Sequence, residues 1–494
     1  GSALDVQPFM EPSHGIPPSL TGRVTHRDLT CRDLSRRDLG RIVGWMSLAA
    51  GAAAGLAACA SPGTGAPGTG GTTGSGAGAG SGAGLGADVN LAMSKVARAT
   101  PAAGAADPAA KAITGFTERM VASVLAGSSD NAGSSDNLVC SPYSVAAALA
   151  MTANGARGKT ATEMLAVLGG LTVDDLDAGL AALSATFASR AGAKTKSDGN
   201  KADIALDIAN SLWGQRGTTW EQPFLDALAK WFGAGMNLVD YVAATEAARA
   251  RINGWTAAAT HNKINDLLPE GALDPSTRLV LVNAVYLKAP WEEPFAASAT
   301  QKAPFTLAAG GTVQADMMRG SFERASAATG PGYTAVSLPY AGGELAMTLV
   351  LPGRSNSESL IEWLKSGLLS AALADLRPRP VNLAMPKWTF RSRLALKPVL
   401  SALGMPSAFE GSADFSGITR EVQLAIDEVF HQGFVAVDEE GTEAAAATAV
   451  VMSEVSAPAD PLQVTLDRPF LFVVHDVASR TPLFIGRVAD PTRT

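Results

Sequence analysis

Cysteine and histidine are sparse in this 494-residue chain, and their spacing forms no metal-ligand or nucleophile–base motif. Three cysteines (Cys31, Cys59, Cys140) and five histidines (His14, His26, His261, His431, His475) are scattered along it. No HExxH, GxSxG or GxxxxGK[ST] occurs, so the common metalloprotease, hydrolase and phosphate-binding signatures are absent. Three cysteines can build neither a disulfide framework nor a Cys₄ zinc site. Neither His261 nor His475 has a carboxylate or thiol at ligand spacing. Cys140 has no basic neighbour and reads as a buried structural thiol. No acid, base and nucleophile come together, so the chain does not read as an enzyme, and no cofactor or metal is implied.

A different capability lies in Gly441-Thr442-Glu443-Ala444-Ala445-Ala446-Ala447-Thr448. Thr, then Glu and four alanines, can cap and start a helix. Ala is depleted in strands, yet Thr448-Ala449-Val450-Val451 turns toward strand propensity. Side chains this small commit the segment to no single packed place, which suits a loop able to slide between two existing strands. Thr442, Ala444, Ala446 and Thr448 alternate, so they would share one face of such a strand. A charge or a bulky group on that face would be buried without a partner and would oppose insertion.

The elements that must position this segment fill the carboxy-terminal three quarters of the chain. Apolar residues make up 47% and charged residues 17%, enough to bury a large core. The net charge of −7 leaves no basic footprint for nucleic acid. From Lys111 to Pro491 no second linker and no internal repeat appears. Helical spacing marks Ile113–Leu125, Ser144–Met151 and Ala161–Leu168; strand-like runs mark Leu279–Leu287, Ala346–Leu351, Val422–Ile426 and Phe470–Val474. Strands and helices do not alternate one for one, so the class is α+β.

The amino-terminal part reads as an address. Ser35-Arg36-Arg37-Asp38 precedes an uncharged stretch from Ile42 to Ala58, the pattern of a twin-arginine export signal. It ends in Leu56-Ala57-Ala58-Cys59, which resembles the lipobox of bacterial lipoproteins, with Cys59 the lipidated residue; a plain signal cleaved near Ala58 is the alternative. Between Ser61 and Gly86, 12 of 26 residues are Gly, a composition that cannot bury apolar surface. The expected organisation is an export region at 1–59, a tether at 60–107 and a folded domain at 108–494. The protein is therefore expected outside the cytoplasm, at the cell surface or beyond, touching membrane only through Cys59.

Four blocks in order make the domain resemble the serpins. The first is Asn137-Leu138-Val139-Cys140-Ser141-Pro142-Tyr143-Ser144, continuing through Asn154-Gly155-Ala156-Arg157-Gly158-Lys159-Thr160. The second runs from Ile252-Asn253-Gly254-Trp255 through Lys263 to Leu281-Val282-Asn283-Ala284-Val285-Tyr286-Leu287-Lys288 and Trp291. The third is His431-Gln432-Gly433-Phe434 through Glu439-Glu440-Gly441-Thr442 to Thr448. The fourth is Asp467-Arg468-Pro469-Phe470 with Pro482-Leu483-Phe484-Ile485-Gly486-Arg487. Asn262 stands where many serpins have Gly, and Asn tolerates the left-handed backbone that position needs.

The resemblance implies three β-sheets, eight or nine helices and an exposed reactive loop, here residues 439–461. It implies a monomeric suicide-substrate inhibitor whose partner is a serine protease, held as a covalent acyl-enzyme while the loop inserts into the central sheet. Glu439, Gly441, Thr442, Ala444, Ala445, Ala446, Ala447 and Thr448 become the hinge, with Glu439 paired to a basic residue that the sequence does not identify. The family's scissile bond lies fourteen residues beyond the hinge glycine, which gives Val455–Ser456, with Glu454 or Met452 if the register slips. Val suits elastase- or subtilisin-like proteases. Ser141, Asn283 and His431 match a polar cluster beneath the central sheet that helps strands part. Trp291 matches the aromatic where the loop first enters. Plain core packing is the alternative for all four. A non-inhibitory serpin, acting as a cell-surface binding or structural lipoprotein, shares the fold; the small hinge residues argue for inhibition.

Overall fold

The computed structural model describes residues 90–127, 137–353, 357–443 and 460–494. Three β-sheets and nine α-helices are built from them. The central sheet has eight strands. Seven are β1 (Asn90–Ala92), β2 (Lys201–Gln215), β3 (Met236–Val239), β4 (Leu279–Pro290), β5 (Trp388–Ala395), β6 (Phe430–Val437) and β7 (Gly441–Thr442). Their spatial order is β1-β3-β2-β4-β7-β6-β5, with Gly192–Thr195 hairpinned onto β2. A seven-stranded sheet places Leu345–Pro352, Phe470–Asp476, Pro482–Val488 and Leu138–Cys140 side by side. A four-stranded sheet joins Leu462–Thr465, Val381–Pro386, Thr312–Phe322 and Gln301–Thr306.

β4 reads as a continuous apolar run because both of its faces are covered. Leu281, Val285, Leu287 and Ala289 join the main core. Val280 and Val282 belong to a second core, built by Tyr241, Ala248 and Ile252 of a helix lying over the outer face. Three helices matter for the site: α1 (Ala106–Gly127), α2 (Pro142–Ala153) and this covering helix, α3 (Tyr241–Ala259). In α2 every residue is buried. Its start is set locally: Ser141 is extended, its Oγ accepts from the Ser144 N–H at 3.3 Å, and Pro142 takes the first helical position.

Two expectations change. Val422–Ile426 is not a strand. Leu424 and Ile426 are buried in alternation, but the backbone bonds lead to Ala408 rather than into a ladder, so the period reflects packing on a helical turn. The folded part also begins before residue 108. β1 pairs with β3 (Leu91 opposite Asn237), the Ser94 hydroxyl donates to Asp226 at 2.6 Å, and α1 starts at Ala106. A three-residue strand in Ala-rich sequence carries no readable period. Among the described residues, no helix is long and apolar enough to cross a membrane.

Candidate functional site

The segment expected to act as a hinge begins as a tight turn after β6. The Asp438 carboxylate accepts from the Glu440 and Gly441 N–H groups at 2.9 and 3.2 Å, and the chain doubles back as β7. β7 lies antiparallel to both neighbours, with Thr442 opposite Val437 on β6 and Ala289 on β4. Only glycine fits at 441, because a Cβ there would lie 2.3 Å from the Ala289 carbonyl oxygen. Thr442 is 4% exposed, and its hydroxyl lies 2.6 Å from that of Tyr340. Burial pushes the Tyr340 phenol well above its usual range. Its ring stacks on Trp291 at 4.7 Å and 4°.

Trp291 holds the turn from the β4 side. Its indole N–H donates to the Asp438 carbonyl at 3.0 Å and its backbone N–H to the Glu440 carbonyl at 2.8 Å. Glu439 is clamped by Lys387 at 2.9 Å and the Thr300 hydroxyl at 2.7 Å. Burial pulls the Glu439 carboxyl upward, but these two partners outweigh it and hold it below its ordinary value. Lys387 is the basic partner that no sequence spacing points to, since it sits one residue before β5 and arrives only through sheet pairing.

Below β7 the sheet is unusual. β4 and β6 are both antiparallel to β7 and therefore parallel to each other. Among the described residues no ladder register joins them. What spans the gap is a side-chain bond. The His431 Nε2 accepts the Ser141 backbone N–H at 2.9 Å. A backbone N–H only donates, so Nε2 carries the lone pair and the proton sits on Nδ1, which donates to Asn283 Oδ1 at 2.6 Å. The imidazole is neutral, and burial lowers its pKa to about 4. Asn210, opposite Asn283 on β2, accepts from the Ser144 hydroxyl at 3.1 Å, tying the network to α2. The structure thus brings Ser141, Asn283 and His431 together, and Trp291 with Glu439, Gly441 and Thr442.

Other residues fall out as follows. Ala444, Ala445, Ala446, Ala447, Thr448, Val455, Ser456 and Cys59 lie outside the described residues. Cys140 is fully buried, and burial pushes its thiol up to about 12. His475 is buried against the Thr348 hydroxyl at 2.8 Å. His261, without a carboxylate at ligand spacing in the sequence, meets Asp207 of β2 at 3.0 Å. The pair's half-exposed setting on a helix end gives no ligand cluster, and no group of described residues could hold a metal ion. Tyr340, like Lys387 and Thr300, is a member of the site that sequence reading missed; it sits one residue past a strand end and carries no motif.

The family model described as serpin (serine protease inhibitor) matches residues 116–491. Iris from Ixodes ricinus is 34% identical over 366 residues, covering 73% of this chain and 93% of that protein. Leukocyte elastase inhibitor from Xenopus laevis is 34% identical over 369 residues, covering 72% and 94%. The crystal structure of tengpin, a thermophilic serpin in its native state, superposes with a TM-score of 0.68 at 26% identity, covering 81% of this chain and 97% of that one.

Proposed function

The chain belongs to the serpin family, and on that ground we propose that it is a suicide-substrate inhibitor of elastase- or subtilisin-like serine proteases. One observation carries the reading: β7 already occupies the top of a gap between two strands that share no ladder below it. Continuing its register, Ala444 would face Val435 and Leu287, Ala446 would face Gly433 and Val285, and Thr448 would face His431 and Asn283. These positions share the inward face with Thr442, so an inserting strand would present only small side chains to the core. Successive inserted residues would add ladder hydrogen bonds to one neighbour and then the other, and the His431–Asn283 bond would part to admit Thr448.

In this reading the protease serine attacks the Val455 carbonyl and releases Ser456 as the new amino terminus. The Val455 ester remains on the protease. Insertion then carries the acylated protease away from the loop's original position before water can cleave the ester. Elastase-like specificity is supported by Val at the proposed bond, by the absence of Lys or Arg from 449–467, and by a relative named as an elastase inhibitor. We further propose that the protein is exported, lipidated at Cys59 and monomeric. A tether of residues 60–89 would then have a span of about 30 Å.

The test is to mix the purified chain with pancreatic elastase and run a denaturing gel. A band at the summed mass, with the ester located at Val455 by mass spectrometry, is expected. Clean cleavage with no complex would overturn inhibition in favour of a non-inhibitory serpin. No reaction would overturn the specificity assignment.

A further inference from the structure

Glu443, the residue just past β7, has a left-handed backbone with φ of 50°. Its N–H still donates to the Ala436 carbonyl at 2.8 Å, in the same register as the Thr442–Val437 pair. The ladder therefore reaches Glu443 on one side, and the chain leaves the sheet at this residue. Its side chain is only 14% exposed and its carboxylate meets Lys263 Nζ at 2.5 Å. Lys263 lies in the turn that ends α3, where His261 and Asn262 are both left-handed at 50° and 61°. That turn also rests on the sheet, with His261 against Asp207 and over the Tyr286 ring at 4.3 Å. The charged and titratable groups around Glu443 are thus Lys263, Tyr286, Asp207 and His261.

In an inserted strand Glu443 would become extended. The register that sets Thr442 opposite Ala289 then sets Glu443 opposite Lys288 on β4. Residues directly opposite in an antiparallel pair hold their Cβ atoms about 5 Å apart, within reach of a Glu–Lys pair. Odd positions face away from Thr442, on the outer face, so the carboxylate would not enter the core. Lys288 has no ion-pair partner among the described residues.

We propose that Glu443 is a positioning residue whose carboxylate passes from Lys263 to Lys288 as the loop enters the sheet. This rests on the insertion reading above. Lys263 holds the loop at two inserted residues, and Lys288 receives the charge so that no step leaves it unpaired. A Glu in a hinge that otherwise wants small residues is accounted for by having a cation at both ends of its travel.

The test uses the full chain and measures melting temperature before and after cleavage of the loop by a metalloprotease, which forms no acyl-enzyme. Lys263→Met is expected to lower the melting temperature of the intact protein by about 1–3 °C and leave the cleaved form unchanged. Lys288→Met is expected to lower the cleaved form by a similar amount and leave the intact form unchanged. Glu443→Gln should lower both, and 1 M salt should shrink all three effects. If the wild type gains no thermal stability on cleavage, insertion itself fails and both readings fall. If the wild type gains stability but Lys288→Met melts like wild type after cleavage, the transfer alone is overturned.

Discussion

Replacing Thr442 with Arg places a charge at the mouth of the gap, and its cost can be worked from the site. The side chain there is 4% exposed, between Val437 and Ala289, and among the described residues only the Tyr340 hydroxyl is in hydrogen-bond range. Keeping an unpaired guanidinium in that position costs several kcal/mol. The intact variant escapes by withdrawing β7, which gives up two residues of ladder at about 1 kcal/mol per hydrogen bond. Insertion offers no such escape, because every further residue must follow Thr442 into the sheet. A penalty of about 3 kcal/mol on that step slows it by about two orders of magnitude. On the proposed mechanism deacylation then outruns insertion, and the variant becomes a substrate. The assay titrates a fixed amount of elastase with wild type and variant and reads residual activity against molar ratio. Wild type should approach one inhibitor per protease, and Thr442→Arg should need many. Thr442→Val is the control: it keeps the volume and leaves the Tyr340 hydroxyl without its partner, costing about 1–3 kcal/mol of stability while preserving the trap. If Thr442→Arg still trapped elastase near one to one, the argument from inward-facing burial would be refuted.

Two further outcomes follow from the same geometry. His431 and His475 are both neutral and held to about 4 by burial, so the unfolded chain takes up their protons first as pH falls. Each histidine should therefore subtract up to about 1.4 kcal/mol of stability per pH unit between about pH 6.5 and pH 4, while Asp177, whose carboxyl burial raises to about 8, offsets part of the loss. Urea denaturation across that range should show His431→Gln with a slope smaller than wild type by up to about 1.4 kcal/mol per pH unit; an unchanged slope would mean His431 is not buried neutral. Glu439→Ala removes the bonds to Lys387 and Thr300 that anchor the turn. A double-mutant cycle with Lys387→Met should give a coupling of about 1 kcal/mol, and simple additivity would show the pair contributes nothing.

Much of this site was legible because its signals are local. The apolar spacing over Ser144–Met151 marks a helix, and α2 covers it, starting two residues earlier where Ser141 caps and Pro142 leads. The apolar run at Leu279 marks a strand covered on both faces. Gly441 and the small residues after it mark a segment able to slide between strands, and at Gly441 the structure shows why no side chain fits, since a Cβ would meet the Ala289 carbonyl oxygen. Asn262 carries the left-handed backbone its position calls for, with φ of 61°. Two elements were misread for opposite reasons. Val422–Ile426 has the right period with no strand beside it, and β1 has a strand beside it with too few residues to show a period.

Side-chain size, branching and backbone limits at each residue set which segments could be helix, strand or sliding loop, and that alternate positions after Gly441 are small. The partners came from long-range assembly of the sheet. Ser141 and His431 are 290 residues apart, and Tyr340 and Thr442 are 102 apart. Lys387 meets Glu439, and Lys263 meets Glu443, only because β5, β6, β7 and the end of α3 converge on one end of the central sheet. A polar side chain does not encode which of many distant groups will satisfy it; sheet register chooses the neighbour, and burial then makes that neighbour indispensable.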